Sequence, residues 1–187
     1  MALIAVIADP HFDYWTKWAV DPLTAQGLDI VIHQRQPDLL VIAGDLANDP
    51  IRTWPGILSR LGRLIAPEKI AIIPGNHDYY QHRLDGEHIL RAICSDVGAR
   101  FAQKDELRIG VTRIMCCTLW TDFALHGDVR VAADTAVRVM NDYRMIRTGI
   151  EPGLPFDRQD TRPIAPRDTL ALHLDHRRWL EAALSEP

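Results

Sequence analysis

The chain has 187 residues, 47% of them hydrophobic and 25% charged, the proportions of a globular protein long enough for one domain with a real core. Its formal net charge of −4 and pI near 6.0 argue against a general nucleic-acid or membrane-surface binder, which needs a basic face. A small phosphate ester is compatible with that balance, because metal ions can hold one.

The amino terminus, MALIAVIADPHFDYW, is apolar at first but lacks a basic leader and reaches Asp9 too early for a signal peptide. No run approaches the roughly 20 apolar residues of a membrane span, so a cytoplasmic protein is expected. Three short apolar runs then recur: LIAVIA (3–8), LLVIAG (39–44) and KIAIIPG (69–75). Each is continuous rather than alternating, the pattern of strands buried on both faces of a parallel sheet. GLDIVIHQRQ (27–36) and IRTWPGILSRLGRL (51–64) fill the gaps as helices, with Pro55 expected in a first turn or at a kink. This β-α-β-α-β rhythm predicts an α/β domain.

A further helix is predicted over 86–97, and DELRIGVTRIMCCTLW reads as two strands around Gly110, an antiparallel hairpin. The pattern predicts one helix over 129–146. Pro152, Pro155, Pro163 and Pro166 argue against regular structure between 149 and 168. The last segment is helical, with Asp168 or Thr169 as its N-cap. No repeat, low-complexity tract or linker divides residues 1–187, which read as a single domain. Cys94, Cys116 and Cys117 lack framework spacing, and the adjacent pair sits in an apolar run. Buried unreactive thiols in a reducing compartment account for them.

All three early strands end in polar residues of one chemical kind: ADPH with Asp9 and His11, AGDLAND with Asp45, and PGNHD with Asn76 and His77. In an open parallel sheet the carboxyl ends of the strands lie on one edge, where loops build the ligand site. Carboxylates, imidazoles and an amide form a mixed oxygen and nitrogen set suited to Mn, Fe or Zn, with no thiolate to favour a closed structural zinc. A single carboxylate such as Asp45 can serve two ions at once. Glycines before Asp45 and Asn76 admit close backbone approach.

DPH, GD and GNHD, each after an apolar strand, resemble the first three sequence blocks of the calcineurin-like metallophosphoesterase superfamily. The resemblance covers residues 3–80 and extends more loosely through CTLWTDF (117–123) and MNDYR (140–144). It implies a metallophosphoesterase-type αββα sandwich and two divalent metal ions. By the resemblance, Asp9 and His11 bind the first ion, Asp45 bridges, and Asn76 binds the second. His77 would face the substrate, as general acid or as a donor to the phosphoryl oxygens, with Asp78 beside it as a support. The family often orients that histidine with a carboxylate three residues after the bridging aspartate; here Asn48 holds the position, with Asp49 next to it. The implied activity is hydrolysis of a small phosphomonoester or phosphodiester.

The family completes its metal shell with later His-His and Gly-His-x-His blocks, and neither occurs in this sequence. After residue 81 the histidines are His82, His88, His126, His173 and His176. The sandwich is therefore expected to be incomplete at its C-terminal side, the chain being an N-terminal portion. Two other readings stay open: a non-catalytic scaffold with a depleted metal site, and a site completed by a partner chain. His173 and His176, spaced i, i+3, read as solvent-facing on a helix whose core side is Leu172, Trp179, Leu180 and Ala183. His126 is the spare candidate for substrate contact, and Arg144 for a bidentate phosphate contact. Tyr14, Trp15 and Trp18 are candidates for an apolar wall over the site. Tyr79 and Tyr80 suit either the pocket or the core, and Arg158, Arg162 and Arg167 mark a candidate lid or a solvated loop.

Overall fold

In the computed structural model, which describes residues 2–125, 127–149 and 161–185, the apolar runs become a parallel sheet. Strand β1 (Ile4–Ile7) leads through short helices α1 (Phe12–Lys17) and α2 (Pro22–Ala25) to α3 (Leu28–Arg35) and β2 (Leu39–Ala43). Helix α4 (Pro50–Leu61), β3 (Ile70–Ile73), α5 (Glu87–Asp96) and β4 (Arg100–Phe101) come next. The four strands pair in the order β1-β2-β3-β4, all parallel, giving the α/β fold that the rhythm of the sequence predicts.

Alternate residues of β2 and β3 serve two cores. Leu40, Ile42, Ile70 and Ile72 pack against the helices, meeting Ile32 of α3, Trp54 and Leu58 of α4, and Leu90 of α5. Leu39, Val41 and Ala71 face the other way, onto Leu107 and Cys116. Those two belong to the antiparallel hairpin of β5 (Asp105–Ile109) and β6 (Thr112–Cys116). Burial on both faces explains why these strands show no polar alternation, and each fully buried Leu or Ile contributes about 1.5–3 kcal/mol. β1 departs from that pattern. It lies at the sheet edge, where Ala5 and Ile7 pack on the helical core while Val6 is 64% exposed.

Helix α4 buries Trp54, Leu58 and Leu61 on one stripe and carries Pro50 at its start. Pro55 lies inside the helix rather than in its first turn, on the exposed side. There the carbonyl left without an N–H partner can bond to water.

Three further expectations are corrected. The helix over 129–146 is two helices, α6 (Val129–Val139) and α7 (Asp142–Met145), because Met140 is extended at φ −90 and ψ 135. Within 149–168 the described ends are regular: β7 (Arg147–Gly149) pairs antiparallel with β8 (Thr161–Pro163). Arg158 lies outside the described residues, and Arg162 is tied to Asp168 at 2.7 Å. Helix α8 (Pro166–Ser185) starts at a proline, which suits a first turn that needs no N–H there. The Asp168 carboxylate reaches back to accept from Ala165 N–H at 2.7 Å. No helix among the described residues is long and apolar enough to cross a membrane.

Candidate metal centre

The segments that leave β1 and β2 stay paired beyond the sheet. Asp9 N–H donates to the Gly44 carbonyl, His11 N–H to that of Asp45 and Phe12 N–H to that of Leu46, at 3.0–3.2 Å. Gly44, at φ +90, sits against Gly75: a Cβ on Gly44 would lie 3.2 Å from Gly75 Cα. A Cβ on Gly75 would lie 2.2 Å from Asp45 Oδ1. Asp9, His11, Asp45 and Asp49 all take left-handed backbone, with φ of 51, 43, 55 and 51. That conformation costs about 1–2 kcal/mol per L-residue, and strain of this kind held at strand ends is a mark of functional sites.

These constraints bring His11, Asp45 and His77 together. Asp45 is 6% exposed; its Oδ1 accepts from His77 N–H at 2.9 Å, and its Oδ2 lies 3.6 Å from His11 Nε2. The His11 and His77 rings meet edge to face with centroids 4.7 Å apart. One ligand atom from each of the three residues lies within 4.8 Å of the other two, a spacing that a single cation can span. Burial pushes the Asp45 carboxyl above its ordinary value, against the pull of the His77 N–H and the neighbouring imidazoles. A buried carboxylate of this kind is stabilised by a cation. The donors fit a divalent ion of the Mn, Fe or Zn class.

Two clefts meet at Asp9. One, of about 380 Å³, is bordered by Asp9, Asp45, Asn76, Thr118, Trp120 and Asp142. The other is bordered by Asp9, His11, Asn48, His77, Tyr14 and Trp15. All the metal-binding candidates thus share one edge of the sheet. Trp18 is 67% exposed and stands outside both lining sets. Arg144 is exposed on α7, donates to Asn141 Oδ1 at 2.9 Å, and borders neither cleft. His126 lies outside the described residues.

His77 has an orienting partner, and it is the amide that replaces the expected carboxylate. His77 Nδ1 lies 2.9 Å from Asn48 Oδ1, and Asn48 Nδ2 donates to Asp13 Oδ2 at 2.9 Å. A carboxylate only accepts, so Asp13 fixes which end of the Asn48 amide faces His77. That end is the carbonyl, which places the proton on His77 Nδ1 and leaves Nε2 for a ligand. Asp13 was missed in the sequence because no spacing rule links it to Asn48. Asp49 precedes α4; its N–H donates to the Tyr80 carbonyl at 3.2 Å, and its Oδ2 lies 3.6 Å from Arg52 Nη1.

Asp78 is fully buried and accepts from Ala47 N–H (3.1 Å), Gly75 N–H (2.8 Å) and Trp54 Nε1–H (3.3 Å). It ties the loops after β2 and β3 to each other and to α4. Burial pushes its carboxyl up to about 7 against the pull of the Gly75 and Ala47 N–H groups. Tyr79 is buried and donates to Glu87 Oε1 at 2.6 Å. Tyr80 stacks on His77 with centroids 4.2 Å apart.

The solvent-facing reading of His173 and His176 is corrected. His176 is 2% exposed, and its Nδ1 accepts from Leu119 N–H at 3.2 Å. His173 Nδ1 lies 2.9 Å from the Leu119 carbonyl and serves as its donor. Leu119 and Trp120 both have positive φ, 62 and 39, so their strained backbone cannot satisfy these groups within a regular element. The i, i+3 face of α8 does so instead. Burial lowers the His176 pKa from its ordinary 6.5, and protonation of Nδ1 would end its role as acceptor. A lowered imidazole pKa contributes stability that is whole above the ordinary value and is lost as pH falls through the folded one. Melting temperature is therefore expected to fall between about pH 7 and 5 more steeply in the wild type than in His176→Gln. Equal slopes in thermal melts would contradict this.

The cysteines behave as buried thiols. Cys94 and Cys116 are fully buried, burial pushing them up to about 12 and about 11; Cys117 is half-buried and borders the first cleft. Comparison with protein families matches residues 2–174 to the family described as calcineurin-like phosphoesterase. Comparison with curated proteins finds no match.

Proposed function

Because the chain belongs to the calcineurin-like phosphoesterase family, we propose that it hydrolyses a small phosphomonoester or phosphodiester at a dinuclear centre of divalent metal ions. The observation that carries this reading is Asp45, a buried carboxylate between His11 and His77 with one oxygen on the His77 amide and the other toward His11 Nε2. Asp9 and His11 would hold one ion, Asp45 both, and Asn76 the second. Such ions neutralise phosphoryl oxygens and lower the pKa of a water.

The remaining work falls to side chains. With Nδ1–H held by Asn48, His77 presents Nε2, the atom that in the doubly protonated ring donates to the phosphoryl or leaving oxygen. Tyr80, stacked beneath it, limits rotation of the ring. Tyr14 and Trp15 border the cleft beside His11 and His77, and provide an apolar wall for the organic part of the ester.

The test is hydrolysis of chromogenic phosphate mono- and diesters by metal-stripped protein supplied in turn with Mn²⁺, Fe²⁺, Co²⁺ and Zn²⁺. Turnover with at least one ion, abolished by chelator, is expected. No turnover with any ion or ester would overturn the proposal.

A further inference from the structure

An asparagine ligand poses a problem that a carboxylate does not. One end of its amide carries a lone pair for a cation and the other carries two N–H groups, and nothing in the side chain itself selects between them. Asn76 comes directly after Gly75 at the end of β3, and it is the only amide in the candidate metal set. Its Nδ2 lies 2.7 Å from Asp142 Oδ1.

Asp142 reaches this point from α7, an element that carries none of the strand-end motifs. It is 2% exposed and borders the same cleft as Asp9, Asp45 and Asn76. Its Oδ1 accepts a second hydrogen bond, from the Tyr80 hydroxyl at 2.9 Å, and Tyr80 is the ring that stacks on His77. The break between α6 and α7 at Met140 turns the helix face at this point, so that Asp142 is buried while Asn141 and Arg144 remain exposed.

We infer that Asp142 is a positioning residue of the site: its carboxylate captures the Asn76 N–H₂ group and so leaves the Asn76 carbonyl oxygen as the end presented to a metal ion. A carboxylate only accepts, which makes the selection unambiguous, and its charge strengthens the bond it makes. Partners of this kind, one bond removed from the metal, commonly govern affinity by 10- to 100-fold. Tyr80 holds the carboxylate in place and joins this arm of the site to the His77 arm. The inference rests on the reading of the strand ends as a metal centre.

The experiment is titration of the metal-stripped protein with Mn²⁺, followed by calorimetry or by the Mn²⁺ electron paramagnetic resonance signal, without any substrate. Asp142→Ala is expected to weaken binding by about 10- to 100-fold. Asp142→Asn keeps a carbonyl that can accept from Asn76 Nδ2 but loses the charge and the acceptor-only polarity, and is expected to recover part of the affinity lost in Asp142→Ala, staying about three- to tenfold below wild type. Tyr80→Phe keeps the stacked ring, removes only the hydroxyl, and is expected to weaken binding by about three- to tenfold; it carries the test if the alanine variant does not fold. Wild-type affinity in both Asp142→Ala and Tyr80→Phe overturns the inference, as does an Asp142→Asn protein that binds as weakly as Asp142→Ala. Unaltered wild-type protein that takes up no ion removes the metal centre itself, whereas a binding wild type with indifferent variants removes only the role of Asp142.

Discussion

Gly75→Ala is expected to destabilise the protein by about 3 kcal/mol or more and to weaken divalent-metal binding at least about tenfold. The new methyl carbon would lie 2.2 Å from Asp45 Oδ1 and 2.5 Å from Asp45 N. The second of these is backbone, so a rotamer change cannot relieve the clash. Nor can Gly75 retreat freely, because its own N–H is held by Asp78 Oδ2 at 2.8 Å. The same carboxylate holds Ala47 N–H at 3.1 Å on the opposite loop. The two strand ends are therefore clamped at contact distance, and the carboxylate displaced is the one at the centre of the candidate metal site. Denaturant midpoints and Mn²⁺ titration read the two effects separately. A variant with wild-type midpoint and affinity would contradict the packing described.

His77→Gln is expected to lower kcat by about 10²- to 10⁴-fold while leaving metal content unchanged. The expectation comes from the division of labour at the ring: Nδ1 is bound to Asn48 Oδ1, and Nε2 is left for substrate. Glutamine can donate a hydrogen bond but has no protonated state near neutral pH, so it cannot deliver a proton to a leaving oxygen. His77 also lies within 4.8 Å of His11 and Asp45 at its nearest ligand atom, close enough for a ligand role. Elemental analysis separates the two. Loss of an ion together with loss of turnover would make His77 a ligand and overturn the role given to it.

The strand-end residues were legible because two independent rules act on them. Continuous apolar runs announced β2 and β3, and the parallel topology placed the residues after each run on one edge. Asp9, His11, Asp45, Asn76 and His77 could therefore be gathered without any three-dimensional information. Helices α3 and α4 were legible as the segments that fill the gaps between the runs, and α4 and α5 also bury an apolar stripe. Single residues that arrive from elsewhere were not. Asp13 reaches Asn48 from α1, and Asp142 reaches Asn76 from α7. Neither spacing nor composition marks either one. Within MNDYR the arginine drew attention as a phosphate binder, yet Arg144 is exposed and the buried residue that borders the cleft is Asp142. His176 was misread because its partner is not a side chain but the strained backbone of Leu119, and a positive φ at a leucine leaves no trace in sequence. The edge position of β1 was hidden as well: LIAVIA is as apolar as the inner strands, although Val6 faces solvent.

The claim that the strand ends hold divalent metal is tested most directly by the ion content of the protein after equilibration with Mn²⁺ and removal of free ion, beside Asp45→Asn treated in the same way. The account predicts two bound ions per chain in the wild type and at most one in the variant, because the carboxylate lost is the one shared between His11 and His77. A wild type without bound metal, or an Asp45→Asn protein that retains the full complement, would contradict it.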